Sequence, residues 1–321
     1  MRFRARLTCL PALLLALLSL SLPAAAQSRS DGMIAAWAAW VKSTSVPSST
    51  IAVAQNGKIV ATRGINAEAS RPYDLASLSK AVTGACLAQL VREDRLALDA
   101  SLGLILGPKE AGRHARTPLS AFVTHSAGLW PDATQKMNTK VFATTTPHHA
   151  AISRAALARS PKGAGKTRYS NENYMVLGRV IEKVTGESYT RACSRRLGLR
   201  GLSISPRWGG MGAAGGWRGS AEAYTRFMVR HFGPGSAIGG RPAAWPHNSA
   251  GKGADYSMGM VYSPGPVFHH AGLVCSNRRT GAGGYGIIIK GKVAVTVLFT
   301  GCASERALQE LGAALTKAAL R

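Results

Sequence analysis

Apolar and polar positions change period several times along the chain, and each change marks an element. Leu7 to Leu22 is an almost unbroken apolar run behind Arg2, Arg4 and Arg6. Met33, Ile34, Trp37, Trp40 and Val41 then recur at three- and four-residue spacing, which predicts a short helix capped by Asp31. Ser49–Gln55 and Lys58–Arg63 read as extended runs, and Asn56-Gly57 between them is a strong hairpin signal. Ala76 to about Arg92 returns to helical spacing. From about Leu96 to Ala250, helical patches alternate with loops rich in Gly, Pro and Trp, with Asn173–Thr185 and Ser220–Phe232 as the clearest helices. Val267–Val274, Tyr285–Lys290 and Val293–Thr300 read as strands, the last two joined at Gly291. Ser304 to Ala319 closes the chain as an amphipathic helix with Leu308, Leu311, Leu315 and Ala318 on one stripe.

Strands near both ends with helices between them predict an α/β (α+β) fold. One antiparallel sheet is formed by the N- and C-terminal segments, flanked by helices, with a mostly helical lobe inserted. The expected α/β lobe covers about 31–75 plus 255–321, and the helical lobe about 76–254. No repeat, low-complexity tract or long linker divides residues 27–321 into independent domains. The arginines, the apolar run and Ala24-Ala25-Ala26 together read as a signal peptide, residues 1–26, with cleavage near Ala26. The run is marginal for a bilayer span and no later segment has the roughly 20 apolar residues a span needs. A soluble periplasmic or secreted protein without a transmembrane segment is therefore expected.

Charge changes the picture of partners. Forty Lys and Arg against 15 Asp and Glu give a net charge of +25, which suits an anionic cell-wall polymer. The basic residues are dispersed, however, which equally fits solvated faces, and no nucleic-acid-binding signature accompanies them. Past the signal, Cys86, Cys193, Cys275 and Cys302 remain. No CxxC pair is present, so no structural metal is expected. Cys275 and Cys302 both flank the C-terminal strands and are the pair expected to bridge.

Three short motifs carry candidate chemistry. In Ala76-Ser77-Leu78-Ser79-Lys80, helical spacing lets Lys80 meet Ser77 at i+3 but not Ser79 at i+1. Ser77 is then the candidate nucleophile, with a helix-start N–H available for an oxyanion. A desolvated Lys80 would have a lowered pKa and could take the serine proton. Tyr169-Ser170-Asn171 lies just before an amphipathic helix: Tyr169 is a candidate proton shuttle, and Asn171 can orient Lys80 and bind a substrate amide. His270-Ala271-Gly272, at the end of a predicted edge strand, lets a substrate backbone approach, and the N–H of Leu273 would be a second oxyanion donor.

The ordered set Ser77-x-x-Lys80, Tyr169-x-Asn171 and His270-x-Gly272 resembles the class C β-lactamase and penicillin-binding-protein-like serine hydrolases. The hairpin at Asn56-Gly57, Tyr73-Asp74-Leu75-Ala76, Thr124-His125-Ser126-Ala127-Gly128-Leu129 and the Gly215-Gly216 turn fit the same resemblance. It implies an α/β lobe, a helical lobe, a catalytic cleft between them, and acyl transfer with no metal or organic cofactor. Two departures stand out. The third motif is His-Ala-Gly where class C β-lactamases usually have Lys-Thr-Gly, which looks more like DD-peptidases, D-amino-acid peptidases and esterases. About ten residues, Leu273 to Ala282, are inserted after it and include Arg278 and Arg279, which suit a substrate carboxylate or a solvated loop.

Other patterns do not qualify. Ser160 to Thr167 nearly matches a phosphate-binding loop but lacks its first glycine and its helix. Thr124 to Gly128 resembles a nucleophile elbow without the first glycine. His148-His149 and His269-His270 lack metal-ligand spacing. The expected substrate is a small molecule or peptide. A catalytically inactive, basic wall-binding relative is the competing reading, opposed by the retention of all three motifs.

Overall fold

The computed structural model describes residues 24–263, 267–275 and 280–321. The apolar run of the expected signal and both Arg278 and Arg279 lie outside the described residues. Helices of nine or more residues are α1 (Ala24–Thr44), α2 (Ser79–Arg92), α3 (His149–Leu157), α4 (Asn171–Thr185), α5 (Tyr189–Leu197), α6 (Ala221–Phe232) and α7 (Glu305–Ala319). Strands are β1 (Ser49–Gln55), β2 (Lys58–Ile65), β3 (Tyr73–Asp74), β4 (Leu202–Ile204), β5 (Trp217–Gly219), β6 (Asn248–Gly251), β7 (Ala254–Ser257), β8 (Met260–Ser263), β9 (Val267–Cys275), β10 (Gly281–Ile289) and β11 (Val293–Thr300).

An eight-stranded antiparallel sheet runs β2-β1-β11-β10-β9-β8-β7-β6, so the two ends of the chain meet where β1 pairs with β11. The period-2 alternation of these strands sorts their side chains onto two faces. Ile51, Val53, Val293, Val295, Val297 and Phe299 pack with Met33, Trp37 and Trp40 of α1 and Leu308, Leu311 and Leu315 of α7. Ala52, Ala54, Ala294 and Leu298 face the other way into the larger core shared with α2, α4 and α6. On that face Thr225 of α6 donates to Thr296 at 2.7 Å. A small sheet, β3-β5-β4, pins the inserted lobe beside α2.

Several boundaries differ from expectation. The helix assigned to an Asp31 cap begins by Ala24, because alanine and serine there continue the helical backbone without interruption. The expected helix from Ala76 splits into a tight 3₁₀ turn, Ala76–Leu78, followed by α2. Helix α6 lies within the span assigned to the helical lobe yet packs on β1 and β11, and β6 joins the large sheet from residue 248, so the lobes interpenetrate more than a cut at 254 implies. Strand β9 continues through Cys275, placing His270 in mid-strand; the inserted residues mainly lengthen the β9–β10 hairpin. Cys275 pairs with Cys302 as expected, and Cys86 of α2 also bridges to Cys193 of α5, a second disulfide that spacing alone did not suggest.

Candidate active site

Ser77 sits in the 3₁₀ turn ahead of α2, pressed between the large sheet and the inserted lobe. The residue before it, Ala76, has φ +48°, a left-handed conformation costing a residue with a Cβ about 1–2 kcal/mol. The turn is held from outside: Leu75 N–H donates to Trp217 O at 2.8 Å, and Ser79 Oγ accepts from Trp217 N–H at 3.0 Å. Ser79 is fully buried in that bond. Ser77 alone of the two serines faces Lys80.

Lys80 is completely buried. Its Nζ donates to Asn171 Oδ1 at 2.7 Å and to the Ala214 carbonyl at 2.7 Å, and lies 3.1 Å from Ser77 Oγ. Burial holds its pKa down to about 7, with the Asp132 carboxylate pulling the other way. A neutral amine has two N–H groups and one lone pair. With both N–H groups taken by Asn171 and Ala214, the lone pair is left for the hydroxyl proton of Ser77.

The second motif flanks the start of α4. Ser170 caps that helix, accepting from Glu172 N–H at 3.3 Å, and Tyr169 and Asn171 stand on either side of the cap. Asn171 Nδ2 donates to Thr134 Oγ1 at 3.1 Å, and its backbone N–H donates to Asp132 Oδ2 at 2.8 Å. Thr134 donates from its own N–H and hydroxyl to Asp132 Oδ1, at 3.0 and 2.7 Å. A buried chain thus runs Asp132, Thr134, Asn171, Lys80. Sequence reasoning missed Asp132 and Thr134; an Asp-x-Thr capping a loop turn is too common a pattern to single out. Tyr169 turns its phenol to the Ser77 hydroxyl while the residue as a whole stays 40% exposed. Its ring centre lies 4.8 Å from Lys80 Nζ. Burial of the phenol end pushes its pKa up, opposed by the bond to Ser77.

The third motif comes from β9. His270 Nδ1–H donates to the Ala271 carbonyl at 2.6 Å, and Tyr256 O–H donates to Nε2 at 3.1 Å. Burial, then the nearby Lys80 charge, holds its pKa down to about 3, so the ring is neutral. Gly272 packs directly on the Ser77 turn: a Cβ there would lie 3.1 Å from the Ser77 nitrogen and 2.4 Å from the Leu75 carbonyl oxygen. Strand β8 pairs only with Val267–His269. From His270 through Leu273, that edge of β9 has no strand partner among the described residues.

The structure therefore gathers Ser77, Lys80, Tyr169, Asn171, His270 and Gly272 around one point, with Leu273 the next residue along the open edge. The other histidines of the two His-His pairs are engaged elsewhere. His148 bonds the Val141 carbonyl, His149 bridges Glu182 and the Ala213 N–H, and His269 stacks on Tyr285 across the sheet. Among the described residues no group of three or more His, Cys, Asp or Glu is placed to hold a metal ion. Residues 161–168 form a loop laced to 125–128, not a phosphate-binding loop and helix.

The family model Beta-lactamase matches residues 33–203. The chain belongs to the beta-lactamase family. Members of that family are serine hydrolases. Among curated relatives, Protein flp of Staphylococcus aureus (strain NCTC 8325 / PS 47) is 26% identical over 160 residues, covering 46% of this chain and 32% of that protein. The match thus spans about a third of the relative's length. Among solved structures, a class C beta lactamase from Rhodobacter sphaeroides superposes with a TM-score of 0.72 at 16% identity, covering 91% of this chain and 100% of that one. The octameric penicillin-binding protein homologue from Pyrococcus abyssi gives 0.71 at 18%, covering 89% and 77%. A D-stereospecific amidohydrolase from Streptomyces sp. gives 0.67 at 18%, covering 88% and 97%. These likenesses show that the family's fold extends through the C-terminal strands, beyond the matched residues.

Proposed function

We propose that this chain is an exported serine hydrolase that cleaves an amide or ester through an acyl-enzyme on Ser77. The observation that carries the reading is the buried Lys80 amine, with two acceptors at 2.7 Å and its remaining position 3.1 Å from Ser77 Oγ. Neutral Lys80 takes the Ser77 proton as Oγ attacks the substrate carbonyl, and the N–H groups of Ser77 and Leu273 hold the oxyanion. Tyr169, kept protonated by burial, gives its proton to the leaving group and regains one from Lys80. Lys80, neutral again, draws a proton from the water that releases the acyl group.

A neutral His270 supplies no cation where the family's β-lactamases usually have lysine. That supports a D-aminopeptidase, DD-peptidase or esterase over a true β-lactamase. Export to the periplasm or beyond rests on the N-terminal arginines, apolar run and Ala24-Ala25-Ala26, and two disulfides suit an oxidising compartment. The +25 charge supports attraction to anionic wall polymer.

Labelling with a fluorophosphonate or fluorescent penicillin, followed by peptide mapping, tests the nucleophile. Label on Ser77, lost in Ser77→Ala, is expected; label elsewhere overturns the reading. Turnover of nitrocefin, a p-nitrophenyl ester and a D-alanyl-D-alanine peptide by one sample separates the substrate classes. Wall binding without turnover of any of them would mark an inactive relative.

A further inference from the structure

His125 is a buried, strained residue that holds the chain on both sides of Tyr169. Only 1% of it is exposed, and its φ is +59°, a left-handed conformation for a residue with a Cβ. Its carbonyl accepts the N–H of Arg168 at 2.9 Å. Its ring Nδ1 accepts the N–H of Ser170 at 3.3 Å and the Asn173 side-chain N–H at 3.3 Å. Tyr169 lies between those two backbone bonds, and its ring rests on the imidazole, with centres 4.4 Å apart and planes tilted by 34°. Tyr256, which bonds His270, closes the other side at 4.5 Å.

Two donors aimed at Nδ1 set the tautomer: the proton sits on Nε2, which is buried without a hydrogen-bond partner. Protonating Nδ1 would turn both incoming N–H groups against a third. Burial, then the nearby Lys80 charge, disfavours the cation as well. The ring is a neutral, fixed seat.

We propose that His125 is the positioning residue of Tyr169, aiming its phenol at Ser77 Oγ and at the leaving group. This rests on the proton-donor role given to Tyr169 above. A donor misplaced by a fraction of an ångström fails only where the leaving group needs a proton. Loss of His125 should therefore discriminate between leaving groups.

The test compares a p-nitrophenyl ester, whose leaving group departs as the anion, with an alkyl ester or anilide of the same acyl group. For His125→Ala, kcat on the poor leaving group should fall by roughly 100-fold, with KM little changed and the p-nitrophenyl rate reduced by less than about threefold. In a Tyr169→Phe background the same substitution should add almost nothing, since the two act as one unit. Equal losses on both leaving groups, or additive losses in the double variant, would overturn the proposal. If His125→Ala does not fold, His125→Leu, which fills the buried space but offers Ser170 N–H no acceptor, carries the same comparison. Fluorophosphonate labelling of Ser77 in each variant reports separately on the nucleophile; its absence from the wild-type protein would instead sink the acyl-enzyme reading.

Discussion

Gly272 of β9 touches the turn that carries Ser77 so closely that no side chain fits between them: a Cβ would stand 3.1 Å from the Ser77 nitrogen and 2.4 Å from the Leu75 carbonyl oxygen. The contact fixes the distance between the open strand edge and the nucleophile. Gly272→Ala must displace one or the other, an overpacking cost of roughly 1–3 kcal/mol. Its expected effect is at least about a tenfold slower fluorophosphonate labelling of Ser77, with a lowered melting temperature. Wild-type labelling rates in Gly272→Ala would show that the two elements move independently.

The buried amine sets the pH dependence. Lys80, with a pKa of about 7, acts as a base only when neutral, so kcat/KM should climb about tenfold per pH unit below 7 and level off above it. Tyr169 is pushed above its usual range and stays protonated, so no falling limb is expected near neutrality. A profile that peaks below pH 6 would contradict this assignment.

Asp132 raises the Lys80 pKa through its charge. Asp132→Asn removes that charge, so the acid limb of the same profile should move to lower pH. The variant also weakens the acceptor for Asn171 N–H and the Thr134 pair, and kcat should fall. A limb that shifts to higher pH would show that the carboxylate acts on Lys80 in some other way.

The two disulfides should differ in their effect on stability. Cys86–Cys193 closes a separation of 107 residues and ties α2 to α5, whereas Cys275–Cys302 closes 27. On the chain-entropy account, replacing the first pair with alanine costs about 5 kcal/mol and the second about 3.5 kcal/mol. Urea denaturation of the two double-alanine variants checks the order, which a larger loss at Cys275–Cys302 would reverse.

Much of the fold is written in local pattern. The Asn56-Gly57 hairpin, the helices starting at Ser220 and Ser304 and the strand at Val293–Thr300 depend on neighbours in sequence, and the structure has them at or within a few residues of the expected places. The tight turn at Ala76–Leu78 was not legible, because its left-handed Ala76 is imposed by Trp217 and β9 from outside.

The site divides along the same line. Spacing on a helix decided that Lys80 can reach Ser77 and not Ser79, because i and i+3 share a face whatever surrounds them. The state of that lysine was decided only by tertiary structure. Its partners Asn171 and Ala214 lie 91 and 134 residues away, and its pKa is set by the water those segments exclude. His270 and His125 are neutral for the same reason. Desolvation is a property of the assembled core, and no short stretch of sequence contains it.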